Sequence, residues 1–157
     1  MLVDAPPLIS FSKIGKFDLL EILALPLACT DFVRAEVRRS REPLENLFAV
    51  QRLKEIALID PAQLLEVEQL YGEGLGRGEA SSIVLARHKG YSLILDAKRA
   101  RKKAEARSVL LHSTAEIVIQ NIRAGMLTMT EADTFIAQWQ LLGEFPLSYK
   151  SFTELLS

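Results

Sequence analysis

Cysteine is almost absent from this sequence of 157 residues, which contains only Cys29. A single cysteine forms no internal disulfide, so a secreted disulfide scaffold is excluded and a reducing compartment is favoured. One cysteine and two histidines also provide too few ligands for the usual four-ligand Cys/His zinc site. Apolar residues flank Cys29, which predicts a buried, inert thiol rather than a nucleophile.

Long hydrophobic runs are also missing, and the formal net charge is only −1. The longest apolar run, from Ile22 to Cys29, is interrupted by Pro26 and is far shorter than a membrane span. The first residues carry no cationic segment and reach an acid at Asp4, so we predict no signal peptide. The 19 Lys and Arg residues nearly balance the 20 Asp and Glu residues. These features predict a cytoplasmic protein without a membrane segment.

Glycine and proline are scarce, with 8 and 6 residues, whereas 49% of the sequence is apolar. This composition excludes a disordered or collagen-like chain. A chain of this length buries about 70% of its unfolded surface, which is enough for a substantial core. We therefore predict one globular domain over residues 1–157.

Short apolar segments alternate with helical patterns along the chain. This order predicts an α/β fold with a mostly parallel central sheet, helices on both faces and a helical tail from about residue 113. Strands are predicted at Leu2–Asp4, Leu25–Cys29 and Tyr91–Asp96. Helices are predicted over residues 8–23 with a break at Gly15, over 30–39, from Asp60, over 77–89, and from Asp96 to Arg107.

The tail begins at Ser113, the first residue of one capping box, and Thr128 begins a second. Phe135, Trp139 and Leu142 lie on one face of the second tail helix and are expected in the core. Residues 40–46 are polar and are predicted to form a loop.

Four carboxylates belong to four different predicted elements. Asp4 and Asp96 end two strands, Glu79 lies in the first turn of the helix before the Asp96 strand, and Glu36 lies within the helix after the second strand. Functional groups collect beyond the carboxyl ends of parallel strands, so these acids are expected at one edge. Two carboxylates at ~4 Å repel by about 4 kcal/mol at an effective dielectric near 20, which favours cation binding. Oxygen ligands suit Mg²⁺ or Mn²⁺.

The alternative for these acids is structural: Asp4 caps a turn, and the two glutamates are ordinary solvated helix residues.

Basic residues concentrate in two windows, one around Glu36 and one after Asp96, which together hold 10 of the 19 cations. Cations that hold phosphates beside carboxylates that hold a metal ion are what a nucleic-acid hydrolase requires. The alternative is two solvated helix faces. The predicted nucleic-acid contacts are Arg38, Lys98, Arg99, Arg101, Lys102 and Lys103.

Other motifs do not indicate a site. The glycine-rich segment from Gly72 to Gly78 has Arg77 where a dinucleotide fingerprint needs glycine, and a helix precedes it. His88 and His112 have no ligand partner at helical spacing. A phosphate-accepting receiver domain needs adjacent acids after its first strand, whereas Asp4 stands alone.

Three segments and the residue Glu36 resemble one family. Asp4-Ala-Pro-Pro-Leu-Ile, followed by a Leu-Leu helix, resembles the opening of PIN domains in a prokaryotic branch with the pattern Asp-(Thr/Ser)-Ser-Pro-Leu-Ile. Leu75-Gly-Arg-Gly-Glu79 is similar to the Leu-Gly-x-Gly-Glu element of that branch. Leu93-Ile-Leu-Asp96 with its basic helix resembles the third acidic element, and Glu36 matches the acid of the second helix.

The resemblance implies a Mg²⁺- or Mn²⁺-dependent endoribonuclease. It assigns Asp4, Glu36, Glu79 and Asp96 as catalytic acids, with Asp4, Glu79 and Asp96 as metal ligands. Many bacterial and archaeal PIN proteins are toxins of toxin–antitoxin modules, so the resemblance also implies RNA as substrate, a small antitoxin protein as partner and a homodimer. An exposed apolar surface is then expected around Leu8 to Leu23.

Two positions depart from that branch. Ala5 replaces the hydroxyl residue after the first aspartate, and Ala97 replaces a second consecutive aspartate. These departures leave open a catalytically inactive PIN-fold module that binds RNA or a protein. The RNA substrate and the cleavage specificity do not follow from the sequence.

Overall fold

Five short parallel strands form the centre of the computed structural model, which describes residues 1–23, 25–144 and 150–156. The strands are β1 (Leu2–Val3), β2 (Ala28–Thr30), β3 (Lys54–Ile56), β4 (Leu93–Ile94) and β5 (Leu111–His112). Their order in the sheet is β3-β2-β1-β4-β5, and every neighbouring pair is parallel. The predicted α/β fold with a parallel central sheet is confirmed.

Helices precede or follow each strand. They are α1 (Ala5–Lys13), a 3₁₀ helix (Phe17–Leu23), α2 (Asp31–Arg39), α3 (Glu45–Ala49), α4 (Pro61–Gly72), α5 (Arg77–Lys89), α6 (Lys98–Glu105), α7 (Thr114–Arg123), α8 (Met129–Leu141) and α9 (Phe152–Leu156). The break between α1 and the 3₁₀ helix is at Gly15, whose positive φ of 66° favours glycine. Within the described residues, no helix combines the length and apolar character needed to cross a bilayer.

Side-chain capping starts the helices where the sequence predicts it. The Thr30 hydroxyl accepts a hydrogen bond from the Val33 N–H, and the Asp60 carboxylate accepts from two N–H groups of α4. Ser113 and Thr128 form the capping boxes of α7 and α8 with Glu116 and Glu131, their third helical residues. Each cap satisfies N–H groups that have no partner within their own helix.

Alternate side chains of the strands enter two cores on opposite faces of the sheet. Val3, Cys29 and Ile94 belong to the first core, with α1, α2 and the tail helices. Leu2 and Leu93 belong to the second core, with α4, α5 and α6. Cys29 is buried as predicted, and burial is the main cause that raises the pKa of its thiol to about 12.

Several predicted boundaries are wrong. The first helix begins at Ala5 rather than Leu8, and the strand before Asp96 is Leu93–Ile94 rather than Tyr91–Asp96. The second strand is Ala28–Thr30 rather than Leu25–Cys29, because Leu25 and Pro26 are exposed before the chain enters the sheet. The predicted loop over residues 40–46 runs into α3, which begins at Glu45. The edge strand β3 was not predicted, since Lys-Glu-Ile is mostly exposed and shows no apolar run.

Two predictions about apolar surface are also wrong. Leu142 is 48% exposed at the end of α8, whereas Phe135 and Trp139 are buried as expected. The large apolar side chains from Leu8 to Leu23 are buried or half-buried, because α1 and the 3₁₀ helix pack into the first core. The expected exposed patch is therefore not there. The part of the predicted helical tail over residues 145–149 lies outside the described residues.

Candidate active site

The strand order reverses between β1 and β4, which creates a crevice at the carboxyl ends of these two strands. Ligands of open parallel sheets bind at such a switch point. Asp4 directly follows β1, and Asp96 follows β4 after one intervening residue. The Asp4 N–H donates to the Ile94 carbonyl oxygen at 3.1 Å, so the two strand ends remain paired up to the acids. Asp4 and Asp96 therefore flank the crevice.

Asp4 is the residue before α1, but its carboxylate does not cap that helix. A capping side chain accepts from the N–H of the second or third helical residue. Both of these residues, Pro6 and Pro7, lack an N–H. Asp4 is only 1% exposed, and within the described part of the chain neither of its carboxylate oxygens has a hydrogen-bond partner. The capping alternative is thereby excluded, and the sequence already contained the two prolines that exclude it.

Burial raises the pKa of Asp4 well above its ordinary value. The negative charge of Glu79, followed by those of Glu36 and Asp96, raises it further. The Ala5 N–H, which is not in hydrogen-bond geometry, partly opposes this shift. The structure thus brings the three other predicted acids within electrostatic range of Asp4.

Asp96 is held by a residue that the sequence analysis missed. The N–H of Thr114 donates to Asp96 Oδ1 at 2.8 Å, and the Thr114 hydroxyl donates to Oδ2 at 2.5 Å. Thr114 is the first residue of α7, so the carboxylate also lies at the positive end of that helix. Burial raises the pKa of Asp96, while the two Thr114 hydrogen bonds and the Arg101 charge oppose the rise.

Glu36 and Glu79 are held by backbone N–H groups of the glycine-rich segment. The Gly78 N–H donates to Glu36 Oε1 at 3.2 Å, and the Gly76 N–H donates to Glu79 Oε1 at 2.9 Å. A Cβ at position 78 would lie 2.5 Å from Glu36 Oε1, so this close approach requires glycine. Burial raises the pKa of Glu36, against the opposing effects of the Gly78 hydrogen bond and the Arg39 charge.

The donor set consists of carboxylate oxygens, which fit a hard divalent cation. The unpartnered oxygens of Asp4 are the strongest indication, since a buried carboxylate normally has hydrogen bonds or a counter-charge. Within residues 1–23, 25–144 and 150–156, no three His, Cys, Asp or Glu side chains are arranged as ligands of a single ion. The oxygen donors suit a cation of the Mg²⁺ type held by one or two of these carboxylates and several waters, whereas the described side chains form no set of three protein ligands.

The predicted nucleic-acid contacts differ in what they bind within the protein. Arg101 donates to the Leu95 carbonyl oxygen at 2.7 Å, and its charge acts on Asp96. Arg99 and Lys103 both bind Glu73, at its carbonyl oxygen and its carboxylate.

Three further members of the set lie on α2 and α6. Arg38 pairs with Glu45 of α3 at 2.9 Å. Lys98 and Lys102 are exposed and have no ion-pair partner among the described residues. The α6 cations Lys98 and Lys102 are therefore the most available for a phosphate.

Comparisons with known proteins agree with this fold. The profile of a family described as a PIN domain, DUF3368, matches residues 1–156. No curated protein matches the sequence. Among solved structures, the chain is similar to a PilT N-terminus domain protein from the hyperthermophilic archaeon Sulfolobus solfataricus, with a TM-score of 0.50 and 17% identity. The match covers 78% of this chain and 94% of the archaeal one, and at this identity it shows the fold alone.

Proposed function

The chain belongs to the PIN domain family, and from that membership we propose that it is a metal-dependent endoribonuclease of the toxin-like prokaryotic branch. PIN domains are generally nucleases that depend on divalent metal ions. The observation that carries the proposal is Asp4, a buried carboxylate without a hydrogen-bond partner in the described structure, at the switch point of the sheet. A buried group of this kind costs stability unless it has a ligand to bind.

Each acid has a distinct part in this proposal. Asp4 would hold a Mg²⁺ or Mn²⁺ ion through its free oxygens. Glu79 and Asp96 are proposed as the further ligands once the ion is bound, since the described side chains form no three-ligand group in this structure. Thr114 orients Asp96, and Glu36 is the fourth catalytic acid. When bound, the cation supplies positive charge that activates water and neutralises a phosphodiester. The cations of α6 bind neighbouring phosphates and so hold the RNA across the crevice.

The test is cleavage of a labelled single-stranded RNA in Mn²⁺ or Mg²⁺, with EDTA as the metal-free comparison. We expect Asp4→Asn and Asp96→Asn to abolish cleavage, since each removes a ligand charge. Asp60→Asn is the matched control: this exposed residue caps α4, and asparagine caps a helix equally well. RNA binding in EDTA should persist or tighten in Asp96→Asn, because that variant has one negative charge fewer beside the phosphates.

A catalytically inactive PIN-fold module that binds RNA or a protein is the second candidate. Ala5 and Ala97 favour it, because neither alanine can contribute an oxygen ligand beside its aspartate. This candidate is supported if the parent protein binds RNA through the α6 cations but does not cleave it in either metal. Absence of both binding and cleavage at low salt would contradict any role in nucleic-acid processing and leave a protein-binding role.

The toxin-like assignment includes a small antitoxin protein, a homodimer and a cytoplasmic location. The dimer is the part that the purified chain can test directly. We expect light scattering to give twice the 17.5 kDa mass of the chain. A monomer at high concentration would contradict the homodimer. Growth arrest on expression of the parent, but not of Asp4→Asn, is the expected sign of a toxin that needs neutralisation.

A further inference from the structure

A chain of hydrogen bonds runs beneath the acids and joins α2 to α5. The Val33 N–H donates to Thr30 Oγ1 at 3.1 Å, and Thr30 Oγ1 lies 2.7 Å from Ser81 Oγ. Ser81 Oγ donates to the Gly78 carbonyl oxygen at 2.7 Å. Because Ser81 gives its proton to Gly78, the Thr30 hydroxyl gives its own proton to Ser81. The Thr30 hydroxyl and the Ser81 hydroxyl therefore each donate one hydrogen bond and accept one.

Glu36 connects the end of this series of hydrogen bonds back to α2, where the series begins. Gly78, whose carbonyl oxygen accepts from Ser81, uses its N–H to hold Glu36 Oε1 at 3.2 Å. Glu36 belongs to α2, the same helix that Thr30 caps at Val33. The hydrogen bonds and the backbone segments of Gly78 and of α2 between them thus form a ring from α2 to the first turn of α5 and back to α2. The three bonds through the Thr30 and Ser81 hydroxyls are directly connected, and such bonds strengthen one another in a buried environment.

The ring is buried except at Glu36, which is half-buried, and it is unlike an ordinary helix cap. Thr30 and Ser81 are both fully buried, and Gly78 is buried beneath Glu36. A helix cap requires only the bond between Thr30 and Val33. The additional bonds through Ser81 connect two helices whose acids, Glu36 and Glu79, accept from the N–H groups of Gly78 and Gly76.

We propose that Thr30 and Ser81 are positioning residues whose linked hydroxyls fix the first turn of α5 against α2 and so set Glu36 relative to Glu79 for metal binding. The inference rests on the proposed function, because Glu79 is one of the metal ligands proposed there and Glu36 is the catalytic acid whose charge acts on it. It also makes a claim about the metal-free protein: the bond between Gly78 and Glu36 depends on Ser81. The two claims can be measured separately.

Ser82 provides a matched control for Ser81. Both serines are fully buried on α5, and both donate to the Gly78 carbonyl oxygen, at 2.7 Å for Ser81 and 3.0 Å for Ser82. Only Ser81 also bonds Thr30. Ser81→Ala and Ser82→Ala therefore remove the same atom from the same helix, but only Ser81→Ala opens the ring.

The first measurement is hydrogen exchange of the Gly78 amide in the metal-free protein by NMR. Glu36→Ala removes the acceptor and so gives the exchange rate of a free Gly78 N–H. We expect Ser81→Ala to speed this exchange by about fivefold or more, and Ser82→Ala to leave it within about twofold of the parent. Equal rates in Ser81→Ala and Ser82→Ala, or no change in Glu36→Ala, would overturn the proposal.

The second measurement is the affinity for Mn²⁺ alone, by calorimetry. Loss of a residue that orients a metal ligand typically weakens binding by about 10-fold or more, which we expect for Ser81→Ala and Thr30→Val. Ser82→Ala should remain within about twofold of the parent. Thr30→Ser keeps the hydroxyl and should restore parental affinity, which a purely volume-dependent role would not predict.

The outcomes separate this proposal from the proposed function. If the parent binds no Mn²⁺, the proposed function fails, and the Gly78 exchange rates still decide whether Ser81 positions Glu36. If the parent binds Mn²⁺ and cleaves RNA but Ser81→Ala matches Ser82→Ala in both measurements, only the positioning role is overturned.

Discussion

The β1 end and the β4 end of the sheet both carry an aspartate, but among the described residues only the aspartate at the β4 end has hydrogen-bond donors for its carboxylate. Asp96 accepts two hydrogen bonds from Thr114, at the start of α7. Asp4 is more deeply buried and has no hydrogen-bond partner among the described residues. The difference arises because α7 offers a free N–H and a hydroxyl, whereas Pro6 and Pro7 remove the N–H groups that α1 would otherwise offer.

The two ends also differ in the helix that follows the acid. After Asp96, α6 begins with Lys98 and carries five cations within six residues. After Asp4, α1 is largely apolar and its first cation is Lys13, at the far end. In the proposed function, the β1 end would hold the cation, and the β4 end would orient a ligand and attract phosphate. The fold places the two strand ends side by side, and the residues that begin the following helices make the two ends different.

Asp4→Asn should produce the largest effect and should act in opposite directions on binding and stability. Without Asp4, Mn²⁺ affinity should fall by more than the roughly 10- to 100-fold caused by loss of a residue that only orients a ligand. The metal-free protein should gain about 1–3 kcal/mol in free energy of unfolding, because a buried charge without a partner is removed. Calorimetry with Mn²⁺ and urea unfolding in EDTA measure the two effects.

Asp60→Asn controls for the chemical change itself, since this acid is exposed and its amide can still cap α4. We expect Asp60→Asn to change neither the Mn²⁺ affinity nor the free energy of unfolding. A loss of stability in Asp4→Asn would show that the carboxylate has a partner in solution, and would remove the contrast between the two strand ends.

Thr114→Val tests the β4 end, where Asp96 has hydrogen-bond donors. It should lower the stability of the protein, whereas Asp4→Asn should raise it, and its effect should be smaller. It removes the hydroxyl donor to Asp96 while keeping the shape of the side chain, so the free energy of unfolding should fall by about 1.5 kcal/mol. Mn²⁺ affinity should fall by about 10-fold because Asp96 is no longer held in a fixed orientation. Thr114→Ser retains the donor and should match the parent. If Thr114→Val also matched the parent in Mn²⁺ affinity, Thr114 would have no role in orienting Asp96.

The sequence predicts that Asp4 and Asp96 lie at the ends of two sheet strands, because this feature is local. An apolar segment followed by Asp4 or Asp96 is visible in a few residues, and the capping residues Thr30, Ser113 and Thr128 lie directly beside the helices that they begin. The parallel sheet follows from the alternation of strands and helices. The proline pair after Asp4 is also visible, and its consequence for capping follows from the missing N–H groups alone.

The residues that hold the acids could not be predicted in the same way. Thr114 lies 18 positions after Asp96, and Ser81 lies 51 positions after Thr30. Their contacts depend on the order of the strands and on the close packing of α2 against α5, neither of which has a local pattern. The strand β3 was missed for a related reason: its exposed Lys54 and Glu55 join the sheet through backbone pairing with β2.

The pH dependence of stability should separate the two ends further. The pKa of Asp4 is raised in the folded protein, so the folded state binds its proton more tightly than the unfolded state. Stability from this group is therefore full below the unfolded pKa of about 4 and is lost as the pH rises toward the folded-state pKa. In EDTA, the stability advantage of Asp4→Asn over the parent should be small near pH 4 and should increase with pH.

Thermal unfolding of both proteins between about pH 4 and pH 8 measures this difference, and the groups shared by the two proteins cancel. A constant difference across that range would show that Asp4 titrates as it does in the unfolded chain. Addition of Mn²⁺ should reverse the ranking at neutral pH, because the ion binds the ionised carboxylate only in the folded parent.

The smallest expected effect concerns the cations of α6 that would bind phosphate. Lys98 and Lys102 lie four residues apart on one helix face, are exposed and are unpaired within the described structure. Lys103, on the same helix, already pairs with Glu73 at 2.5 Å. Neutralising one phosphate-binding cation should reduce the slope of log affinity against log salt by about 0.7 for single-stranded RNA, so Lys98→Gln and Lys102→Gln should each approach that reduction. Lys103→Gln should give less than roughly half of it, because Glu73 competes for its charge.

Lys13→Gln is the control on the helix that follows β1, where the cation lies at the end of α1 far from Asp4 and pairs with Glu144 at 2.7 Å. Binding of a labelled single strand in EDTA, from about 50 to about 200 mM salt, gives all four slopes without any contribution from cleavage. If RNA lies over the β4 end, the slope should fall for Lys98 and Lys102 and remain unchanged for Lys13. Equal reductions at Lys13 and Lys98 would instead mean that RNA responds to the total charge of the protein, and the division between a cation-binding end and a phosphate-binding end would be wrong.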